Sequence, residues 1–146
     1  MSLEERYEYP PNIEEIAAVL PEAKRGAVFF SWGPGVVYNP KGVELSPELV
    51  AHENVHGKRQ GTTEESIRSW WGGYLESPRF RFEEELLAHR AEYQVFCEHV
   101  TDRNLRYRFA SAVAKRLASK LYGSLVTFSE ARRLIRSQYV QDALSL

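Results

Sequence analysis

The stretch "SPELVAHENVHGKRQG", residues 46–61, sets two of the chain's four histidines four positions apart, with Glu53 directly after the first. Ser46 and Pro47 mark a helix start. A serine at the N-cap accepts an orphan backbone N–H, and a proline at the first helical position has no N–H to lose. On a helix, residues i and i+4 share a face with Cβ atoms roughly 6 Å apart. His52 and His56 therefore aim two imidazole nitrogens at one point, and Glu53 lies one step round the helix from it. Two imidazoles do not complete a metal site, so the rest of the chain must fold to bring a third donor to this face. Leu49, Val50 and Val55 are expected to give the helix an apolar side to pack, and Gly57 or Gly61 to end it.

Placement of this motif by accident is expected in roughly one chain in a hundred of this composition. The bland alternative is a helix with two surface or core histidines and a solvated glutamate. A catalytic zinc site takes three protein ligands and keeps one position open for water. The extended pattern HExxHxxGxxH would need glycine at 59 and histidine at 62, where Arg59 and Thr62 stand. The third donor is therefore expected from the long helix "FEEELLAHRAEYQVFCEHV", read as starting near Phe82. Phe82, Leu86, His89 and Tyr93 trace its apolar stripe, and Glu85, Ala88 and Glu92 the row beside it. This favours Glu85 and Glu92 over Glu83 and Glu84 as the buried ligand, with Glu85 preferred and Glu92 the runner-up. Ala88 leaves room for a close helix approach. His89 suits either a role in orienting a ligand or that of a satisfied core histidine. Gln60, one turn beyond His56, reads either as a hydrogen-bonding partner inside the site or as a surface residue.

Along the rest of the chain, "PNIEEIAAVLPEA" reads as a short helix capped by Asn12 and stopped at Pro21. Residues 27–32 and 36–38 read as strands around the Gly33-Pro34-Gly35 turn, with 43–45 as a possible third. Residues 62–81 read as a short helix, a Gly72-Gly73 break and a loop. Asp102 caps a helix reaching about Tyr122, and Thr127 with Glu130 forms a capping box for the last, in "TFSEARRLIRSQYVQDAL". The expected fold is α+β: helix-dominated, with a small antiparallel sheet ahead of the motif helix and a C-terminal helical bundle. It reads as one domain over 1–146, with a metal-site core over 27–95 and C-terminal helices over 96–146. Adjacent Trp70 and Trp71 either line a pocket or split between core and surface, and Cys97 reads as core.

"HENVHGKRQ" resembles the HExxHxxxQ segment of small gluzincin-type metallopeptidases, the minigluzincins, and the compact HExxH proteins of bacterial and phage genomes. The segment "SWWGGYLESPRFRFEEELLAHRAEY" is similar to the W/F…Y stretch and glutamate-led helix that follow in those proteins. The resemblance spans roughly residues 27–95. It implies a zincin-like fold, with His52, His56 and Glu85 holding one Zn2+ per chain and Glu53 as general base. Larger gluzincins carry an aspartate four residues after the ligand glutamate, orienting a zinc histidine; here that position is His89. The distal domain of those enzymes is also lacking, which points to a narrow or regulated peptide or protein substrate. Tyr74 reads either as a packed aromatic or as an oxyanion donor, and the strand pair before the motif is expected to offer an edge to an extended peptide.

Two other function classes stay open: a zinc-binding protein without turnover, and a nucleic-acid-associated protein. The formal net charge is −1, but from Arg103 to Arg136 nine basic residues are opposed by Glu130 alone. These read as solvated helix faces, paired with the acidic N-terminal stretch, or else as a nucleic-acid surface. No apolar run is long enough for a membrane span, and "MSLEERYEYPP" has no secretory h-region, so a cytoplasmic address is expected.

Overall fold

The structure, a computed structural model, describes residues 3–137. Its elements run β1 (Glu4–Arg6), α1 (Ile13–Val19), β2 (Phe30–Ser31), β3 (Val36–Tyr38), α2 (Pro47–Gln60), α3 (Glu64–Glu76), α4 (Pro78–His99), α5 (Arg103–Leu117) and α6 (Phe128–Arg136). Single 3-10 turns occupy Pro21–Ala23 and Lys120–Tyr122. Helices dominate, with one small sheet, so the α+β expectation holds. The sheet is mixed rather than antiparallel. Its strand order is β1-β3-β2, and β1 lies parallel to β3 with Glu4 opposite Val36. The strand at 4–6 has no apolar alternation to betray it, because its side chains are all charged: Glu5 accepts from Asn39 and Arg6 donates to Tyr38. Residues 43–45 do not form a strand. No described helix is long and apolar enough to cross a membrane.

The start signal at Ser46-Pro47 is realised: Ser46 Oγ accepts from Leu49 N at 3.3 Å. The same signal recurs at Ser77-Pro78, where Ser77 Oγ accepts from Phe80 N, so α4 begins four residues before Phe82. The Asp102 cap and the Thr127–Glu130 capping box form as expected. Asn12 precedes α1 but makes no side-chain cap bond. Helix α5 stops at Leu117, short of Tyr122, because the chain turns through 3-10 geometry into left-handed Gly123. The continuation of the last expected helix beyond residue 137 lies outside the described residues.

Helix α3 runs unbroken through Gly72-Gly73. Each interior glycine costs a helix about 1 kcal/mol. Burial of Trp70, Trp71 and Tyr74 on the same helix outweighs that cost, since each buried aromatic contributes more. Both tryptophans are buried, neither facing solvent, in a cluster with Ile16, Phe30, Tyr38 and Ile67. A second cluster joins Phe82 and Leu86 to α5 and α6 through Val113, Leu117 and Ile135. Cys97 is half-buried rather than core.

Between the two clusters α2 packs on α4. The face α2 buries is polar: His52, Glu53, His56 and Gln60, while Leu49, Val50 and Val55 remain partly exposed. The histidine face meets α4, as a ligand from that helix requires, but hydrogen bonds rather than the expected apolar side hold the helix in place. Ala88 is fully buried between Glu85 and Glu92 on α4, as a close helix approach requires.

Helix α2 passes through Gly57 and ends at Gly61, whose φ of +84° closes it. Gly57 is needed for contact, since a Cβ there would lie 2.5 Å from the backbone oxygen of Gly33. In an ordinary helix interior Gly→Ala stabilises by up to about 1 kcal/mol. Here Gly57→Ala is expected to destabilise by about 1–3 kcal/mol, as overpacking does, read as a lowered thermal midpoint.

Candidate metal centre

Helix α2 brings His52 and His56 to one face, their ring centroids 4.9 Å apart. Helix α4 brings Glu85 against both. Glu85 Oε1 lies 3.1 Å from His52 Nε2 and 3.2 Å from His56 Nε2. Ligands at zinc's usual ~2.0–2.1 Å in tetrahedral geometry stand roughly 3.3 Å apart; both Glu85 distances match that spacing, and all three donor atoms lie within 4.8 Å of one another. His52, His56 and Glu85 are all buried, and together they could hold a metal ion.

Glu92, the runner-up, reaches the other side of the same imidazole. Its Oε1 lies 2.8 Å from His52 Nδ1 and 2.9 Å from His89 Nδ1. His52, His89 and Glu92 form a second group that could hold a metal ion, sharing His52 with the first. The two groups use opposite nitrogens of one ring. When Glu92 accepts from Nδ1–H, the tautomer leaves the Nε2 lone pair turned to His56 and Glu85. A carboxylate behind a histidine in this way orients the ring and raises its basicity. Glu92 lies two turns beyond Glu85 on α4, and His89 fills the intervening turn. His89 Nε2 faces Glu85 Oε1 at 3.8 Å.

Glu53 belongs to neither group. Its Oε1 accepts from Ser31 Oγ at 2.9 Å, and its Oε2 lies 3.7 Å from His52 Nε2. Burial pushes the Glu53 carboxyl up from its ordinary value, against the opposing pull of His52 and His56. Burial disfavours a charged His52, yet its bonds to Glu85 and Glu92 hold its pKa well above the ordinary 6.5. Burial likewise works against a charged Glu85, but His56 and His52 hold its carboxyl well below the usual range. A metal ion at this site would therefore compete with a proton for His52.

Tyr74, read as a packed aromatic or an oxyanion donor, is buried and gives its O–H to Glu85 Oε2 at 2.5 Å. Burial and the Glu85 charge push its pKa well above 10, so it remains a donor. Gln60 is buried but touches none of the metal-facing groups. It accepts from Gly33 N at 2.6 Å and donates to Ser31 O at 3.1 Å, which fixes the strand that holds Glu53. His56 Nδ1 is buried without a hydrogen-bond partner among the described residues, and its ring is held by Trp70 at 5.2 Å instead.

Three contributors were not legible in the sequence. Ser31 lies 22 positions before the glutamate it holds, and no spacing rule joins them. Glu84, set aside in favour of Glu85, is 2 % exposed; it accepts from Trp70 Nε1 and from Arg59 Nε. Arg116 comes from α5 to the wall of the cleft that opens over these groups. The cleft holds about 480 Å³, with Phe29, Leu49 and Leu121 among its apolar lining. No family model, curated protein or solved structure matches the chain.

The Glu92 carboxyl carries a pH prediction for the metal-free protein. Burial opposes its charge, but the bonds from His52 and His89 lower its pKa from 4.5 to about 2. The folded value is depressed, so the stabilisation is complete above about pH 4.5 and is lost as pH falls towards 2. That shift corresponds to up to about 3 kcal/mol. Thermal midpoints of the metal-free protein are expected to fall across this window, and to fall less steeply in Glu92→Gln.

Proposed function

We propose that this chain is a zinc-dependent metallopeptidase of the small gluzincin type, with a zincin-like fold, one zinc ion per chain and a peptide or protein substrate met in the cytoplasm. The observation that carries the reading is the position of Glu53, beside the convergent triplet but outside it, with one carboxylate oxygen held by Ser31 and the other turned to the site. A purely structural site has no need of a carboxylate there, and structural zinc sites close with four protein ligands.

Zinc held by His52, His56 and Glu85 would polarise a scissile carbonyl and lower the pKa of water toward ~7. The chain's own groups supply the rest. Glu53 takes a proton from the attacking water at Oε2 and delivers it to the leaving nitrogen; its raised pKa suits both halves of that transfer. Tyr74 and Glu92 hold Glu85 and His52 in orientation. The outer carbonyl of β2 is taken, since Ser31 O accepts from Gln60 Nε2 and Trp71 Nε1, so an extended peptide would lie against the apolar lining of the cleft at Phe29, Leu49 and Leu121.

One observation favours a second reading, metal binding without turnover: Tyr74's proton is committed to Glu85 rather than to an oxyanion. The test is elemental analysis of the purified protein together with cleavage of a mixed peptide library, before and after chelation and after zinc is restored. About one zinc per chain, with cleavage lost to chelator and regained with zinc, is the expected result. Zinc without cleavage supports the second reading, and a folded protein that takes up no zinc overturns both.

A further inference from the structure

A second concavity, of about 310 Å³, lies on the C-terminal helices away from the metal-facing groups. Arg103 and Arg106 of α5 and Arg132 and Arg136 of α6 line it, with Tyr93 and Tyr107, and no aspartate or glutamate does. The acidic N-terminal stretch does not neutralise these arginines: Glu4, Glu14 and Glu22 pair with Arg6, Lys24 and Arg25. Elsewhere Arg59, Arg68 and Arg79 each lie against a glutamate as well. Among the described residues, none of the four cleft arginines is in an ion pair.

Two of the four are nevertheless held in place without a carboxylate. Arg106 donates to Cys97 O and Val100 O, each at 2.6 Å, which ties it to the end of α4. The Arg132 guanidinium lies over the Tyr107 ring, 4.7 Å from its centroid, leaving its N–H edge free. Arginine stays charged at any working pH, so four like charges share one small concavity. The fold gains nothing from that repulsion, whereas an oxyanion among them relieves it. Guanidinium forks match the oxygens of a phosphate in pairs, with a geometry that lysine lacks.

We propose that this cleft binds a phosphate group, at a site separate from the metal centre. The phosphate belongs either to a small ion or ester or to the backbone of a single-stranded nucleic acid, for which Tyr107, 53 % exposed, offers a stacking surface. Two probes separate these sources, both used on the full chain with metal content measured before and after. The first is inorganic phosphate, read as a thermal-midpoint shift against chloride at equal ionic strength. The second is a fluorescein-labelled oligo-dT, read by anisotropy across a salt series.

Phosphate is expected to raise the midpoint, and Arg132→Gln/Arg136→Gln to weaken the fitted affinity about tenfold or more with metal content unchanged. Arg132→Lys, which keeps the charge and loses the fork, is expected to fall between. Arg79→Gln, outside the cleft, should match the wild type. If the phosphate is that of a nucleic acid, oligo-dT also binds. Three or four contacts then give a slope of log affinity against log salt of about −2 to −3, shallower by about 1.4 in the double variant. Phosphate binding without oligo-dT binding assigns the small-ligand source. A wild type that responds to neither probe, or a correctly folded double variant that binds as the wild type does, overturns the proposal.

Discussion

Glu53→Gln is expected to keep its zinc and lose its turnover. Glutamine has the shape of glutamate and still offers Ser31 an acceptor at the Oε1 position, so the packing between β2 and α2 is retained. Glu53 lies outside both groups that could hold a metal, and removing its charge does not remove a ligand. What glutamine lacks is the capacity to take a proton near neutral pH. General-base catalysis by a positioned carboxylate contributes about 10²–10⁴-fold, so kcat should fall by that factor. The change should appear in kcat rather than KM, because the proton moves only in the transition state. Zinc content near one per chain, with cleavage of the wild-type peptide reduced at least a hundredfold, is the outcome that supports the reading. Cleavage at wild-type rate would remove Glu53 from the chemistry.

The second large effect separates Glu85 from Glu92. Glu85→Ala leaves two imidazoles facing an incomplete site. A four-ligand zinc site is worth about 10–16 kcal/mol, so one ligand's share corresponds to roughly a hundredfold to a thousandfold in affinity. The variant is expected to emerge from gel filtration without zinc. Glu92→Gln keeps all three donors and loses only the carboxylate behind His52, a change that costs about 10–100-fold. It should retain zinc on the same column and yield it to a chelator sooner than wild type. The reverse pattern would move the centre to the other group, His52, His89 and Glu92, with Glu85 as the orienting carboxylate. Competition with a chromogenic chelator, run on both variants and wild type, reads the two affinities directly.

Much of this geometry was legible at short range. The helix at 47–60, its serine cap and the shared face of His52 and His56 follow from local rules, in which a cap, a proline and a spacing of four act within two turns. Glu85 and Glu92, preferred over Glu83 and Glu84, are the carboxylates of the two groups that could hold a metal, and Ala88 between them marks the face that can approach closely. Glu84 escaped that rule. It lies one step from Glu85 and is buried against Trp70 and Arg59, partners brought from α3 and α2. The supposed break at Gly72-Gly73 failed for a related reason. Propensity counts the entropy cost of glycine but not the aromatic burial on either side, and here burial outweighs it.

The sequence alone determined which residue types could do metal chemistry and that two imidazoles and a neighbouring carboxylate share one helix. Only the tertiary structure decided how Glu85 and Glu92 divide the two nitrogens of His52. Glu85 meets Nε2 and Glu92 meets Nδ1 because α4 crosses α2 at one particular depth, and a shift of a single turn would set His89 where one of the carboxylates now stands. The face that α2 buries was decided in the same way. Its apolar residues pointed elsewhere, and hydrogen bonds to Ser31, Gly33, Glu85 and Glu92, contributed by segments 22 to 40 positions away, turned the polar face inward. Local spacing sets what a helix can present; only long-range packing sets what it is presented to.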